Sequence, residues 1–362
     1  MASKPTSTAI PHLMARGGWS TQSIVDPAFA KLGSLLRKPE ALGKNGYAFF
    51  GVPFEGLLIN DIGGKGGPDG LRAAFSKLRP YSVDLDIDFT ETQGFCDLGD
   101  VEVDLLDYGP TFKKTETVMR EVLKRGWTPV VAGGSHSISE ATIRAFSEAH
   151  DKNIGIVWLD GHPDLMDDYK GDKHYCGCPM RRLIESGALR GDRFLQIGLR
   201  GYWPPPETLD WMAEQSMRSY EMTEIVHRGL TECLTEAFAI ATDECEGVFL
   251  SVDIDVCDPG HAPGTGTPEP GGLSARQLLD AVRRICLELP VCGVDVVEVS
   301  PPYDHADITA ALANRVVLEA LSAIARRRQD ARDGTRWDPA LPLLSGRAAA
   351  IPQGHLGHSH DH

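Results

Sequence analysis

Short apolar runs rich in Val, Ile and Phe recur along the chain at Tyr47–Val52, Pro129–Ala132, Ile154–Leu159, Phe194–Ile197, Val248–Ile254 and Val294–Val299. Between them lie stretches of helical character near 113–125, 138–150, 207–216, 230–243, 274–289 and 307–328. The stretch 274–289 opens with Ser274, whose hydroxyl is suited to cap a helix N-terminus. Near-continuous apolar strands alternating with helices predict an α/β fold. The expected form is a single domain with a central parallel sheet and helices on both faces. Sheets of this kind build their sites at the carboxyl ends of the strands. Residues 1–45 are mixed and dotted with Pro and Gly, which predicts an N-terminal arm. The domain is expected over 46–328. The pattern fades over 329–362, a C-terminal extension whose His-rich tail carries His355, His358, His360 and His362.

Composition narrows the functions open to such a domain. Apolar residues make up 42% and charged residues 24%, ordinary for a globular protein. With 36 Lys and Arg against 51 Asp and Glu, the net charge is −15. That disfavours nucleic acid or an anionic membrane as a partner and suits a small cationic substrate. The eight cysteines show no framework spacing and read as reduced thiols. The first residues have no apolar core of signal-peptide length, and no run approaches the roughly 20 apolar residues of a membrane span. A cytoplasmic location is the expectation.

Three segments carry candidate chemistry, each following an apolar strand. They are Gly133-Gly134-Ser135-His136-Ser137, Asp160-Gly161-His162-Pro163-Asp164 and Ser251-Val252-Asp253-Ile254-Asp255. Residues i and i+2 of an extended chain share a face, so Asp160 can project with His162 and Asp253 with Asp255. Taken singly, each segment reads as a cap or turn former. Three at successive strand ends instead predict one cluster of His136, Asp160, His162, Asp164, Asp253 and Asp255. Two imidazoles and four carboxylates suit divalent ions, manganese foremost and nickel as the alternative. Four carboxylates can neutralise two such ions; without them the carboxylates would repel one another and take up protons.

On these motifs the sequence resembles the ureohydrolase family of arginases, agmatinases and guanidinobutyrases, and its agmatinase-type branch more closely, over about residues 46–325. Supporting matches are Gly51-Val52-Pro53-Phe54, Gly66-Gly67-Pro68 with Leu71-Arg72, Asp97-Leu98-Gly99-Asp100, the run Ala262–Gly272, and Glu298 within Val297–Pro301. The resemblance implies an arginase-like fold in a homotrimer or homohexamer, and hydrolysis of a guanidinium C–N bond by water activated between two divalent ions. It implies that His136 and Asp164 hold one ion, His162 and Asp255 the other, with Asp160 and Asp253 bridging. Asp164 would move a proton to the leaving nitrogen, and Glu298 would bind the guanidinium. The products would be urea, or a substituted urea, and an amine. Agmatine or a guanidino acid is the substrate type implied.

Three departures from the family pattern bear on the site. Ser135 stands where the family usually has Asp, and Gly161 where it usually has Ala. Cys176 occupies the slot of a proton-shuttling histidine in the run Cys176–Arg181, which marks Cys176 as a substrate contact and His174 as a candidate replacement. The altered pocket and terminal histidines motivate an alternative, a nickel-dependent hydrolase of an unusual guanidine or biguanide. The missing histidine motivates another, a non-catalytic subunit in a hetero-oligomer with a paralogue. Cys176-x-Cys178 lacks the two-residue gap of most metal-binding cysteine pairs. A zinc deacetylase would need a His-His pair, and the chain has none.

Overall fold

The computed structural model describes residues 10–14, 32–56, 64–202, 205–242 and 245–338. The His-rich tail and most of the expected arm lie outside the described residues. In chain order the elements begin with β1 (Leu13–Met14), β2 (Tyr47–Val52), α1 (Gly67–Phe75), a small hairpin of β3 (Tyr81–Ser82) and β4 (Ile87–Asp88), β5 (Phe95–Val101) and α2 (Tyr108–Lys124). There follow β6 (Thr128–Gly133), α3 (Ser139–Ala149), β7 (Ile154–Leu159), α4 (Pro179–Glu185), β8 (Phe194–Ile197), α5 (Pro206–Glu214) and β9 (Arg218–Tyr220). The last are α6 (Met222–Arg228), α7 (Leu230–Ala241), β10 (Gly247–Asp253), α8 (Ala275–Glu288), β11 (Val291–Val297) and α9 (Ile308–Asp333).

Nine strands form one sheet in the order β1-β5-β2-β6-β11-β10-β7-β8-β9. The sheet is parallel as expected except at one edge, where β1 runs antiparallel to β5. An edge strand of two residues carries no periodicity for a sequence reading to detect. Along the buried strands, alternate side chains feed two cores. Tyr47, Val130, Val157 and Leu250 pack with α1, α6, α7, α8 and α9, while Phe50, Val131, Trp158 and Phe249 pack with α2, α3, α4 and α5. Ser274 caps α8 as expected, in a reciprocal capping box with Gln277. α9 is long and apolar enough to cross a membrane, contrary to the sequence reading. However, 83% of its apolar stretch is buried inside the fold, as in a core helix.

β5 escaped the sequence reading because Asp97 and Asp100 interrupt its apolar pattern. Both carboxylates are paired inside the protein with Arg72 of α1, itself 2% exposed. Arg72 Nε and Nη2 donate to the two oxygens of Asp97 at 2.9 and 3.1 Å, and Nη1 lies 2.7 Å from Asp100 Oδ1. This ion cluster ties α1 to the sheet.

The sheet order sets up the site. The four adjacent strands β6, β11, β10 and β7 all end at the same edge, and each delivers candidate residues there: His136, Glu298, Asp253 with Asp255, and Asp160 with His162. The turn after β6 needs glycine, since a Cβ on Gly134 would lie 2.2 Å from the Phe54 carbonyl oxygen.

Candidate metal centre

At that edge three carboxylates from two strand ends converge on one ring nitrogen. His136 Nδ1 lies 3.1 Å from an oxygen of each of Asp160, Asp164 and Asp253. Alongside, His162 Nδ1 lies 3.0 Å from Asp255 Oδ2 and 3.5 Å from Asp160 Oδ1. The structure thus brings together all six residues grouped from the sequence. Two compact sets of donor atoms stand out, His136-Asp160-Asp164 and Asp160-His162-Asp255, with Asp160 common to both.

Backbone contacts aim these side chains. His162 N donates to Asp160 Oδ1 at 2.6 Å, Asp255 N to Asp253 Oδ1 at 2.8 Å, and Gly161 N to Asp255 Oδ1 at 3.1 Å. Each of these aspartates therefore has one oxygen tethered to the chain. Asp164 and Glu298 both adopt left-handed backbone, with φ of 52° and 59°. For non-glycine residues this conformation is uncommon and tends to cluster at functional sites.

The protonation pattern of the metal-free chain tests whether cations fit here. Burial and the neighbouring Asp255 and Asp160 charges push the Asp253 carboxyl well above the usual carboxylate range. Burial and the Asp160 charge likewise raise Asp164. Burial presses His162 down, but the Asp255 and Asp160 carboxylates outweigh it and hold its pKa up at about 12. Such a cluster must hold protons where divalent cations would otherwise supply the charge. Among the described residues His136 Nδ1 is buried without a hydrogen-bond partner although three carboxylate oxygens surround it. That geometry and donor set fit a metal pair.

Behind the cluster stand residues that sequence reasoning missed. The Trp158 indole lies flat on the His136 ring, with centroids 3.9 Å apart and planes 2° from parallel, and its Nε1 donates to Asp160 Oδ2 at 2.9 Å. One side chain thus orients two of the six candidate donors; its place two residues before Asp160, near the end of β7, was the available signal. His136 Nε2 lies 2.9 Å from Ser251 Oγ, which donates to buried Asp295 at 2.6 Å; Ser139 Oγ donates to the other Asp295 oxygen at 2.7 Å. With the Nε2 proton held toward Ser251, Nδ1 presents its lone pair to the cluster. Arg200 Nη2 donates to the carbonyls of Asp255, Cys257 and Glu269, at 2.6, 3.2 and 2.6 Å. It pins the 255–269 loop beneath the site. Its Nη1 would lie 2.8 Å from a Cβ on Gly161, a steric reason for glycine at that departure from the family pattern. Ser135, another of the departures, accepts a hydrogen bond from Ser137 N at 3.2 Å and so caps the turn.

Replacing Trp158 by Phe keeps an aromatic ring against His136 but removes the donor to Asp160. The expected result is metal affinity lower by about 10–100-fold with the fold intact, the range seen when a liganding side chain loses the hydrogen bond that orients it. Chelator competition measures it, and unchanged affinity would remove Trp158 from the site.

Above the cluster opens a cavity of about 340 Å³. His136, His162, Asp164, Asp253 and Glu298 line its floor, and Met166, Tyr169, Tyr175, Cys176 and Glu269 are among its walls. Glu298 Oε1 accepts from His136 N at 2.6 Å, which holds the carboxylate beside the cluster. Burial, opposed by that hydrogen bond, raises the Glu298 carboxyl above its ordinary range. Cys176 lines the cavity as expected; burial first, then the Glu298 and Asp164 charges, push its thiol well up, so it is neutral. His174 does not line it. Its Nδ1 lies 2.7 Å from Glu140 Oε2 and its ring stacks on Tyr108 at 4.1 Å, in a neighbouring hollow. The segment runs through consecutive turns, which bring Tyr175 and Cys176, but not His174, to the cavity.

Fold and cluster together define an open α/β protein with a candidate His/Asp cation site at the carboxyl edge of its sheet. The profile of the arginase family matches residues 45–323. A guanidinobutyrase of Pseudomonas aeruginosa is 33% identical over 305 residues, covering 82% of this chain and 94% of that protein. The mitochondrial agmatinase of Gallus gallus is 34% identical, covering 80% and 85%. Among solved structures, the formimidoylglutamase of Bacillus subtilis superposes with a TM-score of 0.79 at 28% identity, covering 84% of this chain and 95% of that one. The chain belongs to the arginase family, whose members hydrolyse the C–N bonds of linear amidines, and it is such a hydrolase.

Proposed function

We propose that the protein hydrolyses the guanidinium C–N bond of a small guanidino compound, of agmatine or guanidino-acid type, to urea and an amine. The observation that carries this reading is the convergence of three carboxylates on His136 Nδ1, each at 3.1 Å, on the floor of a cavity that also holds Glu298. In this reading His136 and Asp164 would hold one divalent ion and His162 and Asp255 the other, with Asp160 and Asp253 shared between them. Asp160 belongs to both compact donor sets, which supports its bridging role. The oxygen-rich set favours manganese, with nickel the less favoured alternative.

Bound ions of this kind lower the pKa of water from about 16 to about 7 and so supply a nucleophile at neutral pH. Glu298 binds the guanidinium by charge-assisted hydrogen bonds and presents its carbon to the floor of the cavity. One of its oxygens stays anchored to His136 N, so substrate orientation is tied to the cluster. Asp164, also on the cavity floor, is placed to carry a proton to the departing nitrogen. Cys176 replaces a shuttle histidine with a neutral thiol, leaving that proton transfer to Asp164. A cytoplasmic homotrimer or homohexamer completes the reading.

The test is urea release from a panel of guanidines by protein reconstituted with manganese or nickel, together with identification of the amine. Urea that depends on added metal is the expected outcome. Two bound ions per chain without urea from any guanidine would favour a non-catalytic subunit instead.

A further inference from the structure

One wall of the cavity has no regular element behind it. Residues 165–178, which supply Met166, Tyr169, Tyr175 and Cys176 to that wall, form neither helix nor strand. Backbone bonds close the segment on itself: Met166 N donates to Gly177 O and Cys178 N to Tyr175 O, both at 2.9 Å. Among the described residues, its ties between Asp167 and Tyr175 to the rest of the fold run through side chains. On one side Asp167, half exposed, accepts from Arg182 Nη2 at 3.0 Å, and an exposed pair of this kind holds weakly. His174 makes the stronger tie. Its ring lies on Tyr108 of α2, with centroids 4.1 Å apart, and edge-on to Phe112 at 6.0 Å. Its Nδ1 stands 2.7 Å from Oε2 of Glu140 in α3, whose other oxygen accepts from Arg144 at 2.8 Å. A carboxylate only accepts, so His174 donates. Glu140 is 4% exposed, and a hydrogen bond to a buried carboxylate is costly to lose, since the group then stays out of water unpaired.

The anchor belongs to the frame of the candidate metal centre. α3 starts directly after the turn that carries His136, and its Ser139 bonds Asp295. The two residues after His174 are Tyr175 and Cys176, both on the cavity wall, and the Tyr175 ring stacks on Tyr169 at 4.6 Å. Resting on the hydrolase reading above, we propose that His174 is a positioning residue. By bonding Glu140 it docks segment 165–178 on α2 and α3, and so holds Tyr169, Tyr175 and Cys176 as a preformed wall for the body of the substrate. It takes no part in proton transfer, because it faces the neighbouring hollow and not the cavity. When the tie is cut, a substrate must find the wall in its ordered arrangement, and apparent affinity falls with the fraction of chains that hold it. Once bound, the reacting atoms meet an unchanged floor. The cost therefore falls on KM and not on kcat.

The experiment compares variants of the metal-loaded full-length protein. His174→Phe keeps a ring on Tyr108 but cannot donate, whereas His174→Asn places its amide nitrogen where Nδ1 stood. Hydrogen exchange read by mass spectrometry follows residues 165–178. Calorimetry gives affinity for agmatine and for guanidinobutyrate, and urea release gives kcat and KM. His174→Phe should speed exchange in 165–178 by about tenfold or more while β7 and β10 keep theirs. It should raise KM and the dissociation constant by about tenfold, with kcat within about threefold of the wild type. His174→Asn should recover most of both losses. Tyr108→Leu removes the stacked ring and strands no charge; it should give the same pattern at about threefold, and it serves if His174→Phe does not fold. Unchanged exchange in 165–178, faster exchange with KM and binding unchanged, or His174→Asn no closer to the wild type than His174→Phe would overturn the inference. So would a lower kcat at constant KM with a displaced pH profile, the mark of a proton shuttle. If the wild-type chain neither hydrolyses nor binds either guanidine, the hydrolase reading fails, and hydrogen exchange alone decides whether His174 docks the wall.

Discussion

Asp160→Asn should reduce urea release by at least about a thousandfold, close to 4 kcal/mol of transition-state stabilisation. Asp160 is the one residue present in both compact donor sets, so its loss affects two ions where loss of Asp164 or Asp255 affects one. The amide keeps the shape and can still accept from His162 N, so the turn 160–164 should hold. It offers less charge, and its nitrogen facing either Trp158 Nε1 or His162 N would set a donor against a donor. Metal analysis should show fewer than two ions per chain after dialysis, with the circular dichroism of the wild type. An Asp160→Asn protein that kept two ions and its activity would refute the bridging role.

The largest loss of stability is expected at Arg72. Arg72→Met fills much the same space but leaves Asp97 and Asp100 inside the protein without their cation. Removing one partner of a buried ion cluster costs about 3–5 kcal/mol, because the remaining charge stays desolvated. Chemical denaturation should register that shift in midpoint with little change in slope. Adding Asp97→Asn and Asp100→Asn to Arg72→Met should restore part of the loss, since the penalty belongs to the stranded charges. A single Arg72→Met variant with wild-type stability would mean that water reaches the pair. The active edge should suffer indirectly, since α1 packs beside β2 and β6, and the segment after β6 carries His136.

The same cluster explains where the sequence was hard to read. β2, β7 and β8 have the bounds their apolar runs predict, because strands buried on both faces must be apolar throughout. β5 has the sequence Phe-Cys-Asp-Leu-Gly-Asp-Val, and its two aspartates look like solvent-facing breaks until Arg72 is seen beside them. α1, with its Pro and glycines, and the seven-residue α4 and α6 lack the length for a helical period to emerge. At the site, donor residues were legible because liganding chemistry restricts residue type and strand alternation restricts spacing. Trp158, Asp295 and Arg200 were not, because Trp, Asp and Arg serve many purposes and only their neighbours in space assign one.

His174 and Cys176 mark the limit of spacing arguments. Two residues apart in a loop, they were both credible cavity contacts, and only packing separates them: His174 stacks on Tyr108 and reaches Glu140, while Cys176 faces Glu298 and Asp164. By itself, then, the order of residues determined an α/β sheet, its strand ends, and the six candidate donors those ends carry, since burial and metal chemistry constrain residue types locally. Tertiary structure alone decided that β6, β11, β10 and β7 lie side by side, and that Trp158 and Ser251 aim His136. Those facts depend on contacts between residues far apart in the chain, where no local periodicity carries information.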